Sequence, residues 1–315
     1  MVDVSFIIVN RNTRELLGSC LDSISGVGSS LRTETIVIDN ASTDGSVEDV
    51  RERHPGVKLQ VNQTNERFAR PNNDGMKIAT GRYLFFLNSD ARLQSGAAER
   101  LVTFMDLHPE VGACGPMMLY PDGRLQRSVS RDHTPWTHFC DMLFLDRILP
   151  RSGLFGGGVM ETYPYDEHAT QPVSSLMGAA FLVRRPVLDT TGTFDENLSI
   201  YYNEMDWFRR MRSDGWKIYY VHDAQVVHVG GFTTSMANRS FVLHNEMYDN
   251  VVAYYRKHFG RLGAAFYRLF LVLGFFVRSC GWSLNALITR TDEARLRRKA
   301  AVLTLKYGLG FRGGS

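Results

Sequence analysis

Cysteine is scarce in this 315-residue chain: Cys20, Cys114, Cys140 and Cys280 stand far apart, with no C-x-x-C and no Cys/His pair at metal-ligand spacing. That excludes a disulfide framework or a zinc ribbon and makes a reducing compartment the simpler reading. No long apolar run is present either. The most apolar stretch, Leu269 to Val277, has nine residues between Arg268 and Arg278, against about 20 for a membrane span. No basic leader precedes the first strand, so nothing argues for export and a cytoplasmic protein is expected. The turn after that strand, Asn10-Arg11-Asn12-Thr13-Arg14, lacks the G-x-G-x-x-G of a dinucleotide fold. The P-loop and the G-x-S-x-G elbow are missing too, which disfavours an NAD enzyme, an NTPase and a serine hydrolase. Net charge is only +3, but from Arg256 onward twelve basic residues face two acidic ones, leaving about −7 on residues 1 to 255.

With 44% apolar residues, the chain is long enough for one large domain or one domain plus an appendage, and disorder is excluded. Short apolar runs alternate with helical spacing over the first 110 residues. Strands are expected at Val4 to Val9, Thr35 to Ile38, Val57 to Val61 and Tyr83 to Leu87, with helices at Glu15 to Ile24, Ser46 to Arg53 and near Asn73 to Thr80. This β-α-β-α-β-α-β order implies an α/β fold with a mostly parallel, Rossmann-like sheet. Each strand ends in polar residues, and in open α/β sheets ligands bind outside those ends. Residues 110 to 175 read as less regular, and Gly153 to Gly158 as a mobile loop. Beyond them, Ala179 to Val183, Lys217 to Val221 and Gln225 to Val229 read as strands and Glu204 to Asp214 as a helix.

Three clusters carry chemistry. Asn88-Ser89-Asp90 follows a continuous apolar strand, a rigid mount for a carboxylate that binds a divalent cation completed by diphosphate oxygens; such an Asp also serves as an ordinary turn residue. Asn203-Glu204-Met205-Asp206 opens a helix backed by Trp207, Phe208 and Met211, so Glu204 is placed to act as a general base or merely to favour the helix N-terminus. His228 ends an apolar strand before Gly230-Gly231, suited to a metal or a diphosphate, or equally to a purely structural hydrogen-bonding role.

The order of the segments is more specific than any one of them. VSFIIVNRN, IVIDNASTDGS, N-x-R-F-A-R-P-N-N-D-G, YLFFLNSDARL, YPDGRLQ, LMGAAFLVRR, GTFDE, YYNEMDW and GWKIYYVHDAQVVHVGG together resemble the inverting glycosyltransferases of family 2, and more narrowly their rhamnosyltransferase-like branch. The resemblance covers about residues 3 to 235. It implies a GT-A fold over residues 1 to 250, with a nucleotide-sugar half to about residue 110 and an acceptor half from 111 to 250, followed by a basic, aromatic helical tail over 251 to 315. It further implies that Val9, Asn10, Arg11, Asp39 and Asn40 line the nucleoside pocket, with Arg67, Asn73, Asn88 and Ser89 on the nucleotide-sugar. Asp90 takes the place of the D-x-D metal ligand, His228 joins it, and Glu204 is favoured over Asp206 as base. Asn88 and Asn203 stand where acids are common, and Arg67 and Pro71 replace smaller residues.

The implied activity is transfer of a sugar, rhamnose among the candidates, from a dTDP- or UDP-linked donor to a glycan or polyprenyl-linked acceptor, with Mg2+ or Mn2+ as cofactor, in cell-surface polysaccharide synthesis. The alternatives are a catalytically silent nucleotide-sugar-binding module and a sugar-phosphate nucleotidyltransferase; the latter needs a G-x-G-T-R loop that Asn10 to Arg14 does not supply. For the tail, nine apolar residues flanked by arginines suit an interfacial helix at the inner face of the membrane, or a subunit interface in a homo-oligomer, rather than nucleic acid.

Overall fold

The computed structural model describes residues 1–28, 30–149, 152, 154, 163–198, 202–230, 241–289 and 291–310. In chain order the elements are β1 (Val4–Asn10), α1 (Arg14–Ser25), β2 (Thr33–Asp39), α2 (Ser46–Arg53), β3 (Lys58–Val61), α3 (Ala69–Ile78), β4 (Tyr83–Leu87), β5 (Ala91–Leu93), α4 (Ala97–Leu107), β6 (Val111–Leu119), β7 (Leu125–Gln126), β8 (Val129–Ser130), α5 (Pro135–Met142), α6 (Leu145–Ile148), β9 (Gln171–Pro172), β10 (Ser175–Leu176), β11 (Ala180–Arg184), α7 (Val187–Thr191), α8 (Asn203–Ser213), β12 (Lys217–His228), α9 (Phe241–Thr289) and α10 (Asp292–Gly308). They form two compact units, residues 1–131 with 165–235, and residues 132–164 with 236–315. The division differs from the boundary expected near residue 250. α5 packs on α9, so the second unit borrows a segment from mid-chain that no composition shift marks.

The first unit is built on one sheet, ordered β3-β2-β1-β4-β11-β6-β12-β5. β3, β2, β1 and β4 run parallel, as do β6 and β12, while β11 lies antiparallel between β4 and β6. All five residues of β4 and six of seven in β1 are buried, because helices cover both faces and each side chain must pack. Phe6 stacks on Phe85 on one face; Phe86 and Phe181 stack on the other, beneath Trp207. α1 buries Leu17, Cys20, Leu21 and Ile24, one stripe at 3- and 4-residue spacing.

Three local readings change. β6, expected as irregular, is a central strand with eight of nine residues buried; Pro116 has no N–H to give a ladder, but the β11 ladder spans Ala113 and Cys114, so nothing is lost on that side. The two strands expected at 217–221 and 225–229 are one, β12, with an irregularity between Val221 and Gln225. α3 starts at Ala69 rather than near Asn73 because Pro71 falls in its first turn, where backbone N–H groups have no partner in the helix. The run at 153–158 lies outside the described residues except for Leu154.

In the second unit, α9 is broken at Gly260, whose φ of 68° and ψ of −170° leave the helical region. Tyr254 and Tyr255 donate hydrogen bonds to the carbonyls of His133 and Thr134, and Tyr307 donates to Asp249. Burial pushes the imidazole of His133 down to about 4 and that of His138 to about 3, with the charges of His133 and Arg278 adding to the latter. Both lie below the unfolded value of about 6.5, so the unfolded chain binds more protons in that window and stability is lost as pH falls below it. Calorimetry between about pH 7.5 and pH 5 is expected to show this unit melting earlier in acid, and the His138→Phe chain to show a shallower dependence.

Candidate active site

The strand ends collect the polar residues. At β1 and β2, Asn10 Nδ2 donates to Asp39 Oδ2 at 2.8 Å and to Ser42 Oγ at 3.1 Å. Asp39 Oδ1 accepts from the Ser42 N–H at 2.8 Å. Thr13 Oγ1 donates to Asn10 Oδ1 at 2.6 Å and lies 2.8 Å from Ser89 Oγ. Asn10, Asp39 and Ser89, named from the sequence, thus share one network across three strands. Thr13 and Ser42, which sequence reasoning missed, complete it. Thr13 precedes α1 and reads as its cap, but its hydroxyl makes no cap bond because it spans β1 and β4 instead.

Asn40 holds the neighbouring loop: its Nδ2 donates to the Arg67 carbonyl at 2.7 Å and its Oδ1 accepts from Asn62 Nδ2 at 3.0 Å. Arg67 takes a left-handed φ of 65°, with its N–H on Asn65 Oδ1. Val9 is half-buried at the end of β1 and Arg11 is exposed just beyond it. Asn73 spends its amide on the carbonyl of Phe194 at 3.0 Å and on Glu196 Oε1 at 2.9 Å, and accepts from the Phe194 N–H. It is a strut between α3 and the loop before α8.

At the end of β4, β5 pairs antiparallel with β12 so that His228 lies opposite Ala91. That register brings His228 Nε2 to 3.3 Å from Asp90 Oδ1, with the two side chains 9% and 11% exposed. Gln126 Oε1 sits 2.9 Å from the other ring nitrogen. Among the described residues no group of three or more His, Cys, Asp and Glu side chains gathers at one point. The donor set still fits a hard divalent cation of the Mg2+ or Mn2+ type: one carboxylate and one imidazole leave the remaining positions to phosphate oxygens and water, the usual division at such sites.

Glu204 stands in the first turn of α8. It lies three and four residues before Trp207 and Phe208 and seven before Met211, all three buried, so it belongs to the packed face of α8. A Cβ on Gly178 would stand 3.1 Å from Glu204 Oε1. Burial pushes the Glu204 carboxyl above its ordinary value, opposed by hydrogen bonds from its own N–H and that of Gly178. One residue on, the Ala179 carbonyl accepts from the Asn88 N–H at 2.8 Å. Residues 178 and 179 therefore tie the Glu204 carboxylate to the Asn88-Ser89-Asp90 turn. Asp206 is fully buried with Arg210 Nε at 2.8 Å. A Gly178→Ala chain is expected to displace the Glu204 carboxyl by tenths of an ångström and lower kcat by about tenfold, with KM for the donor unchanged in steady-state assays.

Solved structures place this architecture in a known class. The mannosyltransferase PcManGT from Pyrobaculum calidifontis, in complex with GDP-Man and Mn2+, superposes with a TM-score of 0.57 at 16% identity, over 98% of this chain and 88% of that one. GalNAc-T7 with UDP, GalNAc and Mn2+ gives 0.56 at 16% identity, over 82% and 51%. The fold is the GT-A glycosyltransferase fold, with a mixed, mostly parallel central sheet and a C-terminal helical extension. Residues 5–169 match the sequence model of glycosyl transferase family 2, and the chain belongs to that family and is a glycosyltransferase. Among curated relatives, the N-acetylglucosaminyl-diphospho-decaprenol L-rhamnosyltransferase of Mycobacterium tuberculosis is 28% identical over 214 residues, covering 63% of this chain and 68% of that one.

Proposed function

We propose that this glycosyltransferase is metal-dependent and inverting, and moves a hexose or deoxyhexose, rhamnose foremost, from a dTDP- or UDP-linked donor to a hydroxyl of a polyprenyl-linked or glycan acceptor in surface polysaccharide synthesis. The observation that carries it is the segment 178–179, which joins the Glu204 carboxylate to the turn bearing Asp90. The name of the mycobacterial relative supports the choice of sugar and of a lipid-linked acceptor.

In this reading Asn10, Asp39, Arg11 and the loop held by Asn40 receive the nucleoside, and Arg67, Asn88 and Ser89 lie along the diphosphate sugar. Asp90 and His228 would hold the cation, whose positive charge would stabilise the leaving diphosphate. Glu204 draws the proton from the acceptor hydroxyl, and its raised affinity for protons suits a base working near neutrality. Attack from the face opposite the diphosphate inverts the anomeric carbon in one displacement. Asp206, neutralised by Arg210, keeps the first turns of α8 in place.

The C-terminal unit supports a seat at the inner face of the membrane. Glu246–Thr289 is long and apolar enough to cross a bilayer by length and composition alone, with 28% of its most apolar window buried. The break at Gly260 and the charges at Arg268 and Arg278 favour lying flat. Leu262, Phe266, Leu269, Leu273 and Phe276 are exposed at 3- and 4-residue spacing, while Tyr267 and Leu271 are fully buried. Exposed Arg261 and Arg268 flank the stripe, as in helices that bury one face at an anionic interface.

Calorimetry of the full chain with UDP-, dTDP- and GDP-sugars, with Mn2+ or Mg2+ and again with chelator, tests the reading. Binding of one donor that chelator abolishes is expected; binding indifferent to chelator removes the metal, and no binding removes the donor assignment.

A further inference from the structure

His228 is held from both sides, and the two contacts differ in kind. Its Nδ1 lies 2.9 Å from Gln126 Oε1 and its Nε2 3.3 Å from Asp90 Oδ1. Gln126 is 6% exposed and is fixed by the β6–β7 ladder, where it pairs with Met118. Its Nε2 packs on Gly230, where a Cβ would come within 2.8 Å. Gly230 also has a φ of 71°, so both conformation and space call for glycine beside the amide.

A carbonyl oxygen only accepts, so Gln126 Oε1 requires the proton of a neutral imidazole to sit on Nδ1. Nε2 then presents a lone pair to the Asp90 carboxylate, two acceptors with no donor between them. That juxtaposition is satisfied by a second ring proton, or, with the ring neutral, by a metal cation. In the opposite arrangement Nδ1 would accept from the amide, and Nε2–H would donate to Asp90. Every group would then be satisfied without a cation, and the Asp90 oxygen would be occupied.

We propose that Gln126 is a positioning residue that holds His228 as its Nδ1–H tautomer, and so keeps Asp90 and His228 as an open cation-binding pair. The inference rests on reading those two residues as the metal ligands. Outer partners of metal-bound histidines set the tautomer in this way, and their loss costs about 10- to 100-fold in metal affinity.

Two measurements on the full-length chain test it. Long-range proton–nitrogen spectra of histidine-labelled, metal-free protein, held at one pH where imidazole is neutral, are expected to show His228 as Nδ1–H. This needs no variant. Titration of Mn2+ alone, followed by loss of the free-ion paramagnetic resonance signal, is expected to show Gln126→Leu weakened about 10- to 100-fold, with its His228 signal moved toward Nε2–H. Gln126→Glu, which restores an acceptor at Nδ1, recovers both readouts, whereas a packing role alone would not distinguish Leu from Glu in this way. An Nε2–H tautomer in the unsubstituted chain, or unchanged Mn2+ affinity in Gln126→Leu, overturns the proposal. Asp90→Asn and His228→Ala separate the two failures. If neither alters Mn2+ binding, the ligand assignment has fallen and the role of Gln126 with it; if both do and Gln126→Leu does not, only Gln126 is removed.

Discussion

A Glu204→Gln chain is expected to lose turnover by about 10²- to 10⁴-fold, the usual contribution of a general base, while calorimetry shows the donor binding as before. The same change is expected to raise the melting temperature of the ligand-free protein at alkaline pH. Burial raises the Glu204 pKa above its unfolded value, so the folded state holds its proton more tightly than the unfolded one. Stability from this group is therefore fully present below the unfolded pKa of about 4.3 and is lost as pH rises through the folded value. Gln carries no charge to bury, so the advantage of the variant should grow with pH and vanish in acid. Asp206→Asn separates the two acids of α8. Its carboxylate is fully buried against Arg210, and breaking such a pair costs about 3–5 kcal/mol, so the expected loss is in stability, read by denaturant melts. Full activity in Glu204→Gln would remove it as the base.

Asp90→Ala is expected to reduce turnover by about 10²- to 10³-fold, because metal charge at a leaving oxygen is worth several kcal/mol. Donor affinity should fall with it, and the remaining binding should no longer respond to chelator. Little change in fold is expected, since among the described residues the side chain's ion-pair contact is with His228 at 3.3 Å and the backbone carbonyl that accepts from Val229 remains. Metal-dependent binding that survives in Asp90→Ala, measured by calorimetry with and without chelator, would place the cation elsewhere.

Much of the N-terminal half was legible because β1, β2 and β4 each carry a short apolar run ended by polar residues. Tyr83 to Leu87 was read to the residue, and so was the α2 helix at Ser46 to Arg53. β6 was not legible: glycine, cysteine and proline lower its strand signal, and only burial between β11 and β12 makes it a strand. The polar loop residues could be named but not told apart. Asn10 and Asn73 look alike in sequence, yet one sits on Asp39 in the strand-end network and the other spends its amide on Phe194 and Glu196.

Residue order and hydrophobic period, both local properties, were enough for the family and the α/β order, and they named Asp90, Glu204 and His228 as candidates. Only tertiary packing separates the surroundings of the two acids of α8: Asp206 is buried against Arg210, whereas the Glu204 carboxylate lies against Gly178. The same packing also decided that Gln126, 102 residues from His228 in sequence, stands against its imidazole. Pairings between distant strands are set by sheet register, and register is fixed only when the whole sheet closes on its core.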